Sequence, residues 1–238
     1  MKTIGLLGGM SWESTLEYYR IINQEVKKRL GGHHSAKIIL FSLDFAEIEI
    51  LQHQGKWDVA SSILSDASKK LAQAGADFIL ICTNTMHKLA DEIQSQIKIP
   101  ILHIVDVIAE AIKERGLKKV GLLGTKFTME EDFYTQRLRK RHGIDVLIPG
   151  LNEREEVHKI LYDEFCMGKF KETAKEVFKR IIANLAKRGA EGIVLGCTEI
   201  PLIINQKDFS FPLFDSVALH SLAAVDFALK DDEQGVKA

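Results

Sequence analysis

The sequence predicts an α/β protein built from parallel sheets in two related halves. Three observations carry that expectation. Short apolar runs alternate with amphipathic stretches along the chain. Several of these segments recur in the same order at nearly constant spacing. The 238 residues, 46% hydrophobic and 27% charged, suffice for one large domain or two small ones with a core that needs no staples.

Eight short apolar runs read as buried strands: residues 3–7, 38–43, 78–82, 101–104, 120–123, 146–148, 193–196 and 213–214. Between them lie helical patterns. After the first run, Leu16, Tyr19, Ile22, Val26 and Leu30 recur at helical spacing, and Gly31 and Gly32 supply a stop. Residues 61–74 place Leu64, Ala67, Leu71 and Ala74 on one face before Gly75. Strand and helix in alternation imply parallel sheets covered by helices. Two architectures fit eight such units. One is a single eight-stranded barrel, for which a size of about 250 residues is typical. The other is two four-stranded domains with a site in the cleft between them. The pattern alone leaves both open.

The internal repeat is the most informative property of the chain. IGLLGGM from Ile4 resembles VGLLGTK from Val120, an offset of 116. GADFILICTNT from Gly75 resembles GAEGIVLGCTE from Gly189, an offset of 114. PILHIV from Pro100 resembles PLFDSV from Pro212, an offset of 112. Chance likeness of buried strands explains one such match well and three ordered matches poorly. Two homologous α/β halves are the simpler account.

Composition excludes several function classes. The formal net charge is -1 and the mean hydropathy is -0.02. The basic clusters at 27–29 and 137–141 fall in helical patterns, where a solvated face is expected, so nucleic-acid binding is not. No stretch approaches a membrane span, and the first residues lack the apolar run of a signal peptide. Three cysteines at unrelated spacings suggest no disulfide framework, so a reduced, cytoplasmic setting is expected. The eight histidines show neither His-x-x-x-His nor mixed Cys/His spacing, so no metal site is expected.

The repeat also decides how two look-alike segments pair. LICTNT (80–85) and LGCTEI (195–200) each carry Cys-Thr after an apolar run. By eye, Cys82 pairs with Cys197. The ungapped offset of 114 instead sets Thr83 against Cys197, Asn84 against Thr198 and Thr85 against Glu199. Successive strand residues face opposite sides, so Cys82 is expected to pack against the sheet while Thr83 faces the site. Ligands of open α/β sheets bind beyond the carboxyl ends of strands. An acid/base residue at matching strand ends of two halves is what a racemase needs. One group removes the Cα proton from one face while the other delivers a proton to the opposite face. A thiol, with an ordinary pKa near ~8.5, suits this work. Asn84, Thr85 and Thr198 supply hydrogen bonds for a carboxylate or an enolate-like intermediate. The glycine turns at Gly8-Gly9-Met10 and Gly124-Thr125 permit close backbone approach to an anion. Neither fits a dinucleotide or phosphate-loop pattern.

GLLGGMSWEST, TNTMH (83–87), GT-x-x-T (124–128) and GCTE (196–199) together resemble the aspartate/glutamate racemase family. LGGMSWEST and CTNTMHK are similar to the branch of L-aspartate/glutamate-specific racemases of enteric bacteria. The resemblance runs through nearly the whole chain. It implies two α/β domains, residues 1–113 with 213–238 and residues 114–212, with a C-terminal helix near 216–229 returning to the first. It implies cofactor-independent two-base racemisation of a dicarboxylic amino acid, and frequently a homodimer. Carried over by position, Thr83 and Cys197 take the acid/base places. Asn84 and Thr85 hold a carboxylate, with Thr198 and Glu199 opposite. Met10 contributes through its backbone, and Gln52, Thr125 and Glu164 complete the substrate contacts. The chain departs from the family at two points. Most relatives carry Cys where Thr83 stands, and aspartate-specific members carry basic residues where this chain reads Leu51-Gln52-His53 and Tyr162-Asp163-Glu164.

Threonine is a poor base, so the expectation is an asymmetric racemase with Cys197 the stronger partner. Two other readings stand beside it. One is a one-cysteine decarboxylase or isomerase on the same scaffold, as in the similar arylmalonate decarboxylases. The other is a non-catalytic dicarboxylate-binding protein. Cys166, among Val157, Ile160, Leu161 and Phe165, is expected to pack, and His87 to orient a loop or to cap and pack.

Overall fold

The computed structural model describes residues 1–230, which form two units: Met1–Ile104 with the described residues from His220, and Val105–Leu219. The first contains β1 (Ile4–Gly8), α1 (Trp12–Leu30), β2 (Ile38–Ser42), α2 (Phe45–His53), α3 (Trp57–Gln73), β3 (Phe78–Ile81) and α4 (Ala90–Gln96). Its sheet is parallel in the order β2-β1-β3. β1 and β3 are buried along their full length, as expected of strands covered on both faces. Leu64, Ala67 and Leu71 of α3 pack on this sheet with Leu7, Ile79 and Ile81.

Sequence and structure differ at two places here. The buried face of α1 comprises Ser14, Thr15, Tyr18, Ile22 and Val26, whereas Leu16 and Tyr19 are 53% and 51% exposed. The helix turns two small hydroxyl residues inward because they satisfy loop backbone. Thr15 Oγ1 accepts the Gly9 N–H at 2.8 Å, and Ser14 Oγ donates to the Cys82 carbonyl at 3.0 Å. The run at 101–104 forms no strand. Ile101 makes an isolated bridge to Ile79, and pairing stops there. The Leu102 carbonyl bonds His220 Nε2 at 2.7 Å and the Ile104 N–H bonds His87 Nε2 at 3.2 Å, so side chains take the groups a ladder would need.

The chain passes to the second unit within α5 (Ile104–Glu114). There follow β4 (Lys119–Gly124), α6 (Lys126–Glu130), α7 (Asp132–His142), β5 (Asp145–Leu147), α8 (Leu151–Asp163), α9 (Glu172–Lys187), β6 (Gly192–Gly196) and β7 (Leu213–Asp215). The sheet is parallel in the order β5-β4-β6-β7. Its core joins Leu123, Ile193 and Leu195 to Phe178, Ile182 and Leu185 of α9. α10 (Ser216–Leu229) begins in this unit and carries the chain back to the first. In the first unit it packs Phe227 against Phe78, ring centroids 4.7 Å apart and planes tilted by 60°. Two separate sheets replace the barrel that the strand count alone had allowed.

The sheets share one register. Ile4 pairs with Phe78 in the first and Val120 with Gly192 in the second. Sliding the first pair by the sequence offsets of 116 and 114 gives the second. Ile79 bridges Ile101, and Ile193 pairs with Leu213, which repeats the offsets of 114 and 112. The pairing ends at Ile81 in the first sheet and at Gly196 in the second; carried past those residues, the register agrees with the sequence alignment of Thr83 with Cys197.

Candidate active site

In the first unit the carboxyl ends of β1 and β3 lie side by side. Gly9 turns the chain out of β1 with φ +87, where a Cβ would run into the Leu43 carbonyl oxygen. Glycine is therefore obligatory there. Met10 is buried, and Ser11 caps α1 by accepting the Ser14 N–H at 3.3 Å. Beyond β3, Cys82 is fully buried and Thr83 is half-buried. Burial holds the Cys82 thiol well above its ordinary range, which suits packing and not proton transfer. Thr83 donates its N–H to the Ile81 carbonyl at 2.8 Å, and its carbonyl meets His87 Nδ1 at 2.7 Å. Asn84 and Thr85 are buried at the start of the 3-10 turn Thr85–Leu89. Gln52, on α2, is buried and points its Nε2 at Met86 Sδ, 2.9 Å away.

In the second unit β4 and β6 end together. A Cβ at Gly124 would lie 2.8 Å from the Gly196 carbonyl oxygen, so the two strand tips approach as only glycine allows. Thr125 caps α6, its Oγ1 accepting the Thr128 N–H at 3.2 Å. Cys197 is 9% exposed at the tip of β6. Its Sγ donates to Glu199 Oε2 at 2.9 Å, and Thr198 Oγ1 donates to the same oxygen at 2.7 Å. Burial first, then the Glu199 negative charge and the nearby Cys166, hold the Cys197 thiol well above its ordinary range. The resting pair is a thiol hydrogen-bonded to a carboxylate. Glu164 closes α8; its Oε1 pairs with Lys171 Nζ at 3.0 Å while its buried Oε2 has no hydrogen-bond partner.

The first unit therefore gathers Met10, Gln52, Thr83, Asn84 and Thr85 at one end of its sheet, and the second places Thr125, Cys197, Thr198 and Glu199 likewise. Glu164 stands on the segment after α8, next to Phe165, which packs in the same core as Cys197. The sequence reading missed that Glu199 bends back onto the thiol two residues before it. It also missed that Ser14 and Thr15 hold the backbone of the site, whereas His87 orients a loop, one of the roles expected of it. Hydroxyls in the first turns of a helix that follows a glycine turn were the available signal.

The family model described as Asp/Glu/Hydantoin racemase matches residues 7–224 of the chain. The chain belongs to that family. It is thus a member of an enzyme family of racemases. Among solved structures, a Yersinia pestis protein reported as a candidate Asp/Glu racemase is 53% identical. It covers 96% of this chain and 100% of its own, with a TM-score of 0.91. An aspartate racemase homologue from Pyrococcus horikoshii is 38% identical with a TM-score of 0.83, covering 96% and 99% of the two chains. The broad specificity amino-acid racemase RacX of Bacillus subtilis is 25% identical over 222 residues, 90% of this chain and 93% of that protein. The two-domain α/β fold of this racemase family is the fold described above.

Proposed function

We propose that the protein interconverts the enantiomers of aspartate, glutamate or both by two-base proton transfer at Cα, without a cofactor. The observation that supports the reading is the shared register of the two sheets, which, carried past the ends of β3 and β6, aligns Thr83 with Cys197. Each half thereby contributes one acid/base group. In one direction Cys197 acts as base. Its thiol proton passes to Glu199, the thiolate takes the Cα proton, and the electron pair moves into the substrate carboxylate as an enolate-like intermediate. Thr83 then delivers a proton to the other face, and exchange with solvent water returns a proton to Thr83 while Glu199 gives up the one it took. In the reverse direction the two exchange roles. Hydrogen bonds from Asn84 and Thr85 stabilise the carboxylate as charge builds on it, joined by Thr198 when its hydroxyl turns from Glu199 to the substrate. Met10, Gln52, Thr125 and Glu164 border the substrate.

The reaction is asymmetric, because a hydroxyl is far harder to deprotonate than a thiol. Cys82 does not restore symmetry, since it is buried beside the strand. The test follows Cα deuterium incorporation in D2O from each enantiomer, and absence of exchange from both would sink the proposal. That only one of the two proposed acid/base groups is a thiol also favours a second reading, a one-cysteine decarboxylation. That reaction releases carbon dioxide from a malonate-type substrate and leaves amino acids untouched.

The reading extends to assembly and setting. α1 exposes Trp12 (64%), Leu16 and Tyr19 along one stripe, a surface suited to a second copy of the chain in a homodimer. Cys82, Cys166 and Cys197 are free thiols, which suits a cytoplasmic setting. No helix among the described residues is long and apolar enough to cross a membrane.

A further inference from the structure

We propose that His87 is a positioning residue for Thr83, holding the weaker acid/base group of the racemase in its working orientation; this rests on the racemase reading above.

His87 is 2% exposed and lies outside the residues that the reaction itself uses. Its two ring nitrogens have defined roles. The Ile104 N–H points at Nε2 at 3.2 Å, so Nε2 accepts and carries no proton. Nδ1 therefore bears the hydrogen and donates to the Thr83 carbonyl at 2.7 Å. The ring is neutral, in the Nδ1–H tautomer. Thr83 also donates its N–H to the Ile81 carbonyl, so both of its backbone polar groups are tied. With the peptide held on both sides, the direction of the Thr83 Cα–Cβ bond is set. Burial makes the clamp stiff: His103 and His220 lie against the ring, with centroids 4.7 and 5.7 Å away.

The second half lacks this device. Shifted by the repeat offset of 114, position 87 becomes Pro201, and the Cys197 carbonyl accepts the Ile200 N–H at 3.3 Å instead. The ring clamp is thus present only where a hydroxyl stands in place of a thiol. A threonine that must work as an acid/base group gains most from precise placement, because misplacement by an ångström costs orders of magnitude in proton transfer. The other arm of the ring reaches Ile104, the first residue of α5, so Thr83 is tied to the point where the chain leaves the first unit.

Two substitutions separate the arms of the ring. In His87→Asn the side-chain amide replaces Nδ1 and keeps the donor to the Thr83 carbonyl. In His87→Gln the longer side chain replaces Nε2 and keeps the partner of Ile104. Deuterium incorporation at Cα is measured in the full chain from each enantiomer. The expected result is that His87→Gln and His87→Ala slow the slow enantiomer about tenfold or more in kcat, with KM little changed, while His87→Asn stays within about threefold of wild type. Exchange from the fast enantiomer changes little in all three. Equal losses for both enantiomers, or equal losses in Asn and Gln, would overturn the proposal in favour of a purely structural ring. Nitrogen-15 NMR of the wild-type protein reads the tautomer without any turnover: an Nε2–H ring at His87 also overturns it. Wild-type protein that shows the Nδ1–H ring but exchanges neither enantiomer would remove the racemase reading, and with it the role assigned to the clamp.

Discussion

The Cys197 thiol donates a hydrogen bond to the Glu199 carboxylate at 2.9 Å, within one turn of chain at the tip of β6. The same oxygen accepts from Thr198. This arrangement opposes the free thiolate yet provides a nearby acceptor for its proton. The thiol is therefore an acid at rest and becomes a base only together with Glu199.

Alkylation tests that pairing. Burial and the Glu199 charge raise the Cys197 pKa, so iodoacetamide should label Cys197 slowly at neutral pH and faster as pH rises. In Glu199→Gln the charge is gone, and the midpoint of the labelling curve should move to lower pH. Exchange with Cys197 as base should nonetheless fall about a hundredfold, because the proton acceptor is lost. Peptide mass spectrometry keeps Cys197 distinct from the half-buried Cys166. An upward shift of the labelling midpoint in Glu199→Gln would contradict the geometry.

Thr83→Cys should raise turnover of the slow enantiomer about tenfold or more, since a thiol replaces a hydroxyl at the same backbone position. Steady-state rates from each enantiomer measure this. A variant that folds as wild type but leaves the slow direction unchanged would argue against Thr83 as the second acid/base group.

The sequence made the duplicated sheets legible because buried parallel strands carry a strong apolar signal and the repeat fixes their register. It made the Thr83–Cys197 equivalence legible for the same reason. It misjudged α1, since periodicity cannot foresee that Ser14 and Thr15 turn inward to bond Cys82 and Gly9. It overextended the strand at 101–104, since His87 and His220, distant in sequence, take the backbone groups of Ile104 and Leu102. The GCTE motif identified Glu199 but not its contact with the thiol, which depends on the local turn after β6.

Acid should weaken the first unit through His220. Burial pushes its pKa down from 6.5 to about 4, and its Nδ1 accepts from Tyr18 while its Nε2 donates to Leu102. The folded state thus refuses a proton that the unfolded chain accepts. Stability is full above about pH 6.5 and falls toward pH 4, by about 3 kcal/mol for this group. Urea unfolding of wild type and His220→Gln at several pH values checks this. The variant should be less stable at neutral pH and show a shallower loss in acid; parallel curves would contradict the assignment.

The apolar stripe of α1 predicts the assembly state. Replacing Leu16 by Glu should convert a dimer to a monomer in sedimentation, with little change in the unfolding midpoint of the chain itself, because Leu16 is 53% exposed. A Leu16→Glu variant that sediments as wild type would place the interface elsewhere or remove it.

The central claim is that a thiol and a hydroxyl share one proton-transfer reaction at Cα. Its most direct measurement is the initial rate of deuterium incorporation at Cα in D2O, taken separately from the L and D enantiomers of aspartate and of glutamate. The account predicts exchange from both enantiomers of at least one amino acid at clearly unequal rates. Equal initial rates from the two enantiomers, or no exchange from either, would contradict it.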